Sequence, residues 1–336
     1  MRVIYTERHK LHATDNLRRD GNPFITEELP ARAEIILSAL QAGSIGPVCV
    51  PTDHGIDPIL AVHDPGFVDF LRGVYTESAA FYKAHAPVFA DTPAPRHFRR
   101  KPRSFLGLTG YYAFGHGDPI VAGTWEAAYW SAQCALSAVD AVRGGERTAY
   151  ALCRPPGHHA SVDSYGGFCY LNNAAIAARY LGGPVAILDI DYHHGNGTQE
   201  IFYTDPSILF CSLHAHPDDD YPYYWGAADE RGADAGEGFN RNWPLPQGTG
   251  DALYLATLEE ALTAIDEFRP RALVLSAGLD IAADDPLGGF RVTADGFRQI
   301  GQRIGALNLP TVIVQEGGYL LHSLGENALA LLQAFA

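Results

Sequence analysis

The chain has 336 residues, 47% of them hydrophobic, and a formal net charge of −15 at pH 7. This length suits one large core, and the acidity argues against binding the phosphate backbone of nucleic acids and favours neutral or cationic ligands. Five scattered cysteines without a CxxC pair predict reduced, buried thiols, and no stretch reaches the roughly 18 apolar residues of a membrane span, so we expect a cytoplasmic protein.

Short apolar runs without alternation predict the strands of a parallel sheet that is covered by helices on both faces. In chain order these runs are RVIY, PVCV, TAYALC, VAILDI, ILFCSL, ALVLSAG and TVIVQEGG. Helical periodicity lies between them, as in LYLATLEEALTAIDEF and in GTWEAAYWSAQCALSAVDAVRGG, whose helix is predicted to end at Gly144 and Gly145. The recurring order predicts a single α/β domain over residues 1–336, with ligands bound beyond the carboxyl ends of the strands.

The stretch from about residue 76 to 122 departs from this order. It is rich in proline, glycine and aromatic residues and contains the basic run RHFRRKPR. We interpret it as a long surface insertion and not as a separate domain. In so acidic a chain, the basic run is predicted to be a solvated face or a subunit contact, not a nucleic-acid site.

Polar residues follow the apolar runs, and three of them predict a metal site. Asp191 and His193 are two residues apart at a strand end, so both side chains point to the same side. Asp280 is the first charged residue after LVLSAGL. An Asp, His and Asp set leaves a position open for water, as in catalytic zinc sites, and would also suit Fe²⁺. The alternative is that Asp191 caps a turn and His193 is an ordinary loop histidine.

Other strand ends carry groups that could assist hydrolysis. His158 and His159 follow a Pro-Pro-Gly turn and are candidate proton carriers, although a histidine pair alone is more often structural. Asp189 lies on the same side of its strand as Asp191 and could orient one imidazole. Tyr319 follows two glycines and could present its phenol to an oxyanion; alone, EGGY would be a turn with a core tyrosine.

A family resemblance joins these motifs. In chain order, RPPGHHA, GGFCYLNNAAIAA, ILDIDYHHGNGTQEIFY, SLH and QEGGY resemble the histone deacetylase superfamily over nearly the full length. The segments MRVIYTERHKLH and GYYAFGHGDPIVAGTWEAA, with the insertion, are similar to bacterial acetylpolyamine amidohydrolases, which cleave acetyl groups from amines. The resemblance implies an arginase/deacetylase-type fold, a small cationic acetylated amine as substrate, no nucleic acid or membrane partner, and a homodimer whose contact at the insertion narrows a substrate tunnel.

The resemblance also implies roles for individual residues. Asp191, His193 and Asp280 become the zinc ligands, His158 and His159 the tandem histidines, with His159 the general base and acid, and Tyr319 the group that polarises the carbonyl. Asp189, Ser212 and the backbone around Leu213 match a structural potassium site. Asn196 matches the partner of His159, where many eukaryotic members have aspartate, and a neutral partner should leave the imidazole less basic. Gly167, Phe168 and Tyr221 match the tunnel wall.

Rival functions differ at particular positions. An arginase-like ureohydrolase would need a second carboxylate two residues beyond Asp280, where this chain has Ala282. A ligand-binding protein without catalysis would not need every catalytic residue of the pattern. A protein or acetyl-lysine deacetylase of the same superfamily is the main alternative. The run Asp218, Asp219 and Asp220 precedes Tyr221 and is either a solvated loop or an acidic rim that meets the distal ammonium of the substrate.

Overall fold

The computed structural model describes residues 1–94 and 100–336 and has an α/β fold built on one eight-stranded sheet. The strands are β1 Arg2–Ile4, β2 Arg18–Arg19, β3 Asn22–Pro23, β4 Val48–Cys49, β5 Thr148–Ala151, β6 Val185–Asp189, β7 Ile208–Ala215, β8 Asn240–Leu245, β9 Ala272–Ala277 and β10 Thr311–Gln315. The sheet order is β4-β1-β5-β10-β9-β6-β7-β8, and every pair in it is parallel. Strands β2 and β3 form a separate antiparallel hairpin.

Helices cover both faces of the sheet. They are α1 Ala31–Ala42, α2 Asp57–Leu60, α3 Pro65–Tyr82, α4 Phe105–Tyr111, α5 Thr124–Arg143, α6 Asn173–Leu181, α7 Asn196–Phe202, α8 Asp251–Phe268, α9 Ala294–Ala306 and α10 Leu321–Leu332. Val185 and Ile187 of β6 pack into the core that α5 and α6 cover, whereas Ala186 and Leu188 pack into the opposite core with α8 to α10. A strand buried on both faces has no polar side to alternate, which explains its continuous apolar sequence.

The predicted fold class is confirmed, and all seven apolar runs contain strands. Helices α5 and α8 lie where periodicity placed them, and Gly144 caps the C-terminus of α5. The edge strand β8 was not predicted. Its sequence NRNWPL is polar, alternates in burial and includes Pro244, which an edge strand tolerates because one side of its backbone needs no partner.

The predicted insertion at about 76–122 begins within α3, and part of it enters the core. Val88 and Ile120 form a two-way backbone bridge, and both side chains are buried, as is Tyr112. Residues 96–99 of the basic run lie outside the described residues. Of the remainder, Lys101 places its ammonium 5.4 Å from the centroid of the Tyr112 ring. The insertion therefore combines a core contribution with surface loops.

All five cysteines are unpaired, as predicted; four are buried and Cys49 is half-buried. Within residues 1–94 and 100–336, no helix has both the length and the apolar content needed to cross a bilayer.

Candidate active site

Four adjacent strands at the centre of the sheet bring the predicted site residues together. Strands β5, β10, β9 and β6 are neighbours, and their carboxyl ends lead into residues 152–159, 316–319, 278–280 and 190–194, respectively. Since parallel strands all end at the same edge, these segments share one side of the molecule.

The candidate metal ligands form a compact buried cluster. Ligand atoms of Asp191, His193 and Asp280 all lie within 4.8 Å of one another. His193 Nδ1 is 3.3 Å from Asp191 Oδ1 and 3.1 Å from Asp280 Oδ2. Burial and the neighbouring Asp191 carboxylate raise the pKa of Asp280 to about 7, as expected for two adjacent buried carboxylates. One imidazole nitrogen and carboxylate oxygens are a donor set that fits zinc or ferrous iron.

Backbone amides hold these carboxylates in place. The amides of His193 and Gly317 donate to Asp191 at 2.9 and 2.8 Å, and the amide of Tyr192 donates to Asp280 at 2.8 Å. The backbone after the two histidines also passes very close to the end of β6. A Cβ atom at Gly195 would collide with the Asp189 carboxylate, which accounts for the glycine after the two histidines.

The tandem histidines have different partners and therefore different basicity. His158 Nδ1 lies 3.0 Å from Asp189 Oδ2, and His159 Nδ1 lies 2.7 Å from Asn196 Oδ1. Burial alone would lower the pKa of His158, but the carboxylates of Asp191 and Asp189 outweigh it and raise the pKa to about 10. Burial, together with the charges of His158 and His193, holds the pKa of His159 well below its usual 6.5. The Asn196 oxygen only accepts, so His159 carries its proton on Nδ1 and leaves Nε2 free.

Glu316 positions the turn that carries the two histidines. Its carboxylate, fully buried at the end of β10, accepts hydrogen bonds from the amides of Gly157 at 2.6 Å and His158 at 3.2 Å. Burial raises the pKa of Glu316 to about 7, and the charge of His158 and the Gly157 amide oppose part of that rise. The sequence marked Glu316 as a strand-end residue but gave no sign of this partner.

Two residues that sequence reasoning missed hold Tyr319. Asp285 Oδ2 accepts from the amides of Tyr319 at 2.8 Å and Leu320 at 3.0 Å. The Arg32 guanidinium carbon lies 4.5 Å from the centroid of the Tyr319 ring, and its nitrogens donate to the carbonyls of Glu316 and Gly318. Burial raises the pKa of Tyr319 well above 10, so its hydroxyl keeps its proton and can donate it in a hydrogen bond.

A cavity of about 350 Å³ opens above these groups. Its lining includes the predicted wall residues Gly167, Phe168 and Tyr221, together with His159, His193 and Tyr319 from the floor. The Phe168 ring centroid is 5.8 Å from that of Tyr319, and Tyr221 packs edge-on against His159 at 5.1 Å. Further lining residues that the sequence did not indicate are Gly115, His116, Gly117, Asp118 and Leu287.

Of the three aspartates proposed for the rim, one lines the cavity. Asp220 does so, and its carboxylate is held by the Tyr192 hydroxyl at 2.5 Å and the Tyr221 amide at 2.9 Å. Asp218 and Asp219 are exposed, and neither belongs to the cavity lining. The structure therefore supplies an acidic rim of one fixed carboxylate, with the other two on the solvated loop.

The residues matched to a potassium site lie side by side. Asp189 of β6 pairs in register with Ser212 of β7, and Leu213 follows it. Asp189 accepts from the Asp191 amide and contacts His158, and Ser212 Oγ is 2.8 Å from His214 Nδ1. Asp189 and Ser212 are therefore neighbours across two adjacent strands, and carboxylate, hydroxyl and carbonyl oxygens are the kind of donors that suit a hard cation.

Comparison with known proteins identifies the family. The Histone deacetylase domain matches residues 26–335. This chain belongs to the histone deacetylase family. It is 44% identical to acetylpolyamine amidohydrolase 1 of Pseudomonas aeruginosa, over 100% of this chain and 99% of that protein. It is 47% identical to the acetylpolyamine amidohydrolase of Burkholderia pseudomallei, over 94% and 93% of the two chains.

The fold comparison agrees with the sequence comparison. A crystal structure of acetylpolyamine aminohydrolase from Burkholderia pseudomallei superposes with a TM-score of 0.94 and 44% identity, covering 100% of this chain and 98% of that one. Agreement over essentially the whole of both chains shows that this member of the family has the same fold from end to end.

Proposed function

We propose that this family member is a metal-dependent amidohydrolase that removes acetyl groups from acetylated polyamines or small diamines. The observation that carries the proposal is one cavity with the Asp191, His193 and Asp280 cluster at its floor, aromatic walls, and the Asp220 carboxylate in its lining. A thin alkyl chain with a cationic end suits such a cavity better than a folded protein does. The names of the relatives support the same substrate class.

Zinc is the metal we propose, with ferrous iron as the alternative, held by Asp191, His193 and Asp280. When bound, such an ion supplies Lewis-acid polarisation of the acetyl carbonyl and makes water a stronger nucleophile at neutral pH. We also propose structural potassium at Asp189, Ser212 and the Leu213 carbonyl. Elemental analysis of the purified protein would distinguish zinc from iron, and loss of thermal stability when sodium replaces potassium would test the second site.

The side chains around the cluster can perform the remaining steps. His159 Nε2 is free to take a proton from the attacking water and to pass it to the departing amine. His158, whose Nδ1 contacts Asp189, is held next to His159 at the same site. The Tyr319 hydroxyl donates to the oxygen that becomes negative, and the Gly167 carbonyl accepts from the substrate amide.

The neutral partner of His159 gives a pH prediction. In Asn196→Asp, a carboxylate next to Nδ1 favours the imidazolium and should raise the pKa of His159 by about one unit or more. The base must be unprotonated to act, so the acid limb of kcat/KM should move to higher pH and activity at low pH should fall. A pH-rate profile with parallel metal analysis measures this. If the acid limb of kcat/KM stays at the same pH in this variant, His159 is not the general base.

The main rival is hydrolysis of acetyl-lysine in peptides or proteins, which the family as a whole allows. A ureohydrolase is disfavoured because Ala282 occupies the position where a second metal would need a carboxylate, and a non-catalytic role would leave the ordered His159 and Tyr319 without purpose. We expect higher kcat/KM for acetylputrescine or acetylcadaverine than for an acetyl-lysine peptide. A peptide preference in this kinetic panel would overturn the polyamine assignment.

Asp220 provides an electrostatic test of substrate choice. Asp220→Asn should reduce the preference for an acetylated diamine over a neutral acetamide by about fivefold or less, since a solvent-exposed ion pair contributes about 1 kcal/mol at most. High salt should shrink the same preference. Asp218→Asn is the matched control, because its carboxylate is exposed outside the cavity lining, and it should leave the preference unchanged. Equal effects of the two substitutions would mean that only overall charge matters.

We further propose that the protein is a cytoplasmic homodimer. Free thiols at all five cysteines support a reducing compartment, and the long aromatic insertion supports a subunit contact beside the cavity mouth. Phe81 and Tyr82 at the end of α3 are more than half exposed and pack with Phe105 into one surface cluster. Light scattering at micromolar concentration should give a dimer mass, and a fully active monomer would contradict this arrangement.

A further inference from the structure

One buried acid at the cavity has no part in the chemistry proposed above. Asp118 is only 4% exposed and lines the cavity within the loop sequence GHGDP. Its Oδ1 accepts a hydrogen bond from the Phe168 amide at 2.7 Å, and its carboxylate also accepts from the Gly167 amide. Burying a carboxylate is costly, and here it accepts from successive backbone amides of the neighbouring part of the cavity lining.

Those two amides belong to a tight turn with unusual backbone angles. The amide of Cys169 donates to the Gly166 carbonyl at 3.0 Å, which closes a four-residue turn over 166–169. Both central residues have positive φ, 56° for Gly167 and 67° for Phe168, as in a type I′ turn. Glycine adopts this region freely, but a bulky residue such as phenylalanine does so at a cost that surrounding contacts must offset.

Asp118 is fixed well enough to supply that contact. The next residue, Pro119, has a rigid φ, and its carbonyl accepts from the buried Tyr170 hydroxyl at 2.5 Å. Ile120 then exchanges two backbone hydrogen bonds with Val88, at 2.8 and 2.9 Å. The carboxylate is thus attached to the core on one side and to the turn on the other.

The turn 166–169 also fixes two surfaces of the cavity. A Cβ atom at Gly167 would collide with the His159 imidazole, so the backbone lies directly against that ring. The Phe168 ring forms the wall beside Tyr319. We propose that Asp118 is a positioning residue that clamps the turn 166–169 and so sets the wall on which the substrate's alkyl chain lies. That the substrate's alkyl chain lies on this wall rests on the proposed function, whereas the contact between Asp118 and the turn does not.

Amide hydrogen exchange tests the clamp directly. In the metal-loaded wild-type protein, the Gly167 and Phe168 amides should exchange slowly although they face an open cavity. In Asp118→Asn, whose side chain has one acceptor oxygen instead of two, protection should fall at these two amides and persist at Cys169, which is bonded within the turn. Fast exchange of Gly167 and Phe168 in the wild type would overturn the proposal, and that measurement needs no variant to fold.

Inhibitor binding tests the consequence for the wall. Acetohydroxamate reaches only the metal end of the cavity, whereas octanohydroxamate also lays its chain on the wall. Asp118→Asn should raise the dissociation constant of octanohydroxamate by about tenfold or more. It should change the dissociation constant of acetohydroxamate by about twofold at most. The matched control Asp218→Asn, which removes an exposed carboxylate outside the cavity lining, should change the affinity of neither inhibitor.

Substrates complete the test. Asp118→Asn should lower kcat/KM by a similar factor for acetylputrescine and for the uncharged N-butylacetamide, because the wall serves both chains. A loss of kcat/KM confined to the cationic substrate would show that Asp118 acts through its charge. An equal loss of affinity for both hydroxamates would show general damage to the cavity. Either result overturns the positioning role. If wild-type protein binds neither hydroxamate, the proposed function fails, while the exchange measurement still decides on the clamp.

Discussion

Asp191→Ala should abolish measurable turnover and release the metal ion. Asp191 and Asp280 provide the carboxylate donors of the cluster, and the two ligands that remain cannot hold the ion with an open coordination position. The substitution also leaves the amides of His193 and Gly317 without their acceptor, which should cost about 1–3 kcal/mol of folding free energy. A domain with so large a core should nevertheless remain folded.

The measurements are metal content, circular dichroism and turnover on acetylputrescine. Asp218→Ala is a suitable control, since it removes an exposed carboxylate of the same protein and should keep both metal and activity. Near wild-type turnover in Asp191→Ala would refute the ligand assignment, and so would a normal metal content.

Tyr319→Phe removes one hydroxyl and should lower kcat by about two orders of magnitude or more, the usual loss for one oxyanion donor. The ring remains, so its contact with Arg32 and its packing against Phe168 are kept. Metal content and KM should change little, because the hydrogen bond strengthens as negative charge develops on the carbonyl oxygen.

A useful companion is Tyr221→Phe, which removes the other phenol in the cavity lining. The Tyr221 hydroxyl is buried without a hydrogen-bond partner among the described residues, and its removal should leave kcat nearly intact. If Tyr319→Phe kept the wild-type kcat, Tyr319 would be a structural residue.

The sequence was most informative where burial dictated composition. Strands such as β6 and β9 are enclosed on both faces, so their apolar runs identified them and placed Asp191, His193 and Asp280 at strand ends. Strand β8 lies at the edge of the sheet with mixed polarity, and nothing in NRNWPL separates it from a loop. Prediction thus succeeded for the buried centre of the sheet and for the apolar edge strand β4, and failed at the opposite, polar edge.

The supporting residues of the site could not be predicted for a different reason. Arg32, Asp118 and Asp285 act through backbone groups that are distant in sequence, and a backbone amide or carbonyl leaves no mark on residue type. Asp118 stands in a glycine-rich stretch that looks like an ordinary turn. The acidic run at 218–220 allowed either a solvated loop or an acidic rim, and the structure divides it, with Asp220 in the cavity lining and Asp218 and Asp219 exposed outside it.

Part of the cavity lining comes from loops that carry none of the reacting groups, and this has a practical consequence for redesign. The reacting groups lie in the segments that follow β5, β6, β9 and β10, whereas other lining residues come from the loops at 115–118 and 220–221. Asp118 and Tyr221 must stay, because they contact the turn 166–169 and His159, but replacing residues 115–117 and Asp220 by residues of other size or charge should redirect the enzyme to different amines while its chemical machinery stays intact. Selectivity in this scaffold can therefore be engineered as a module.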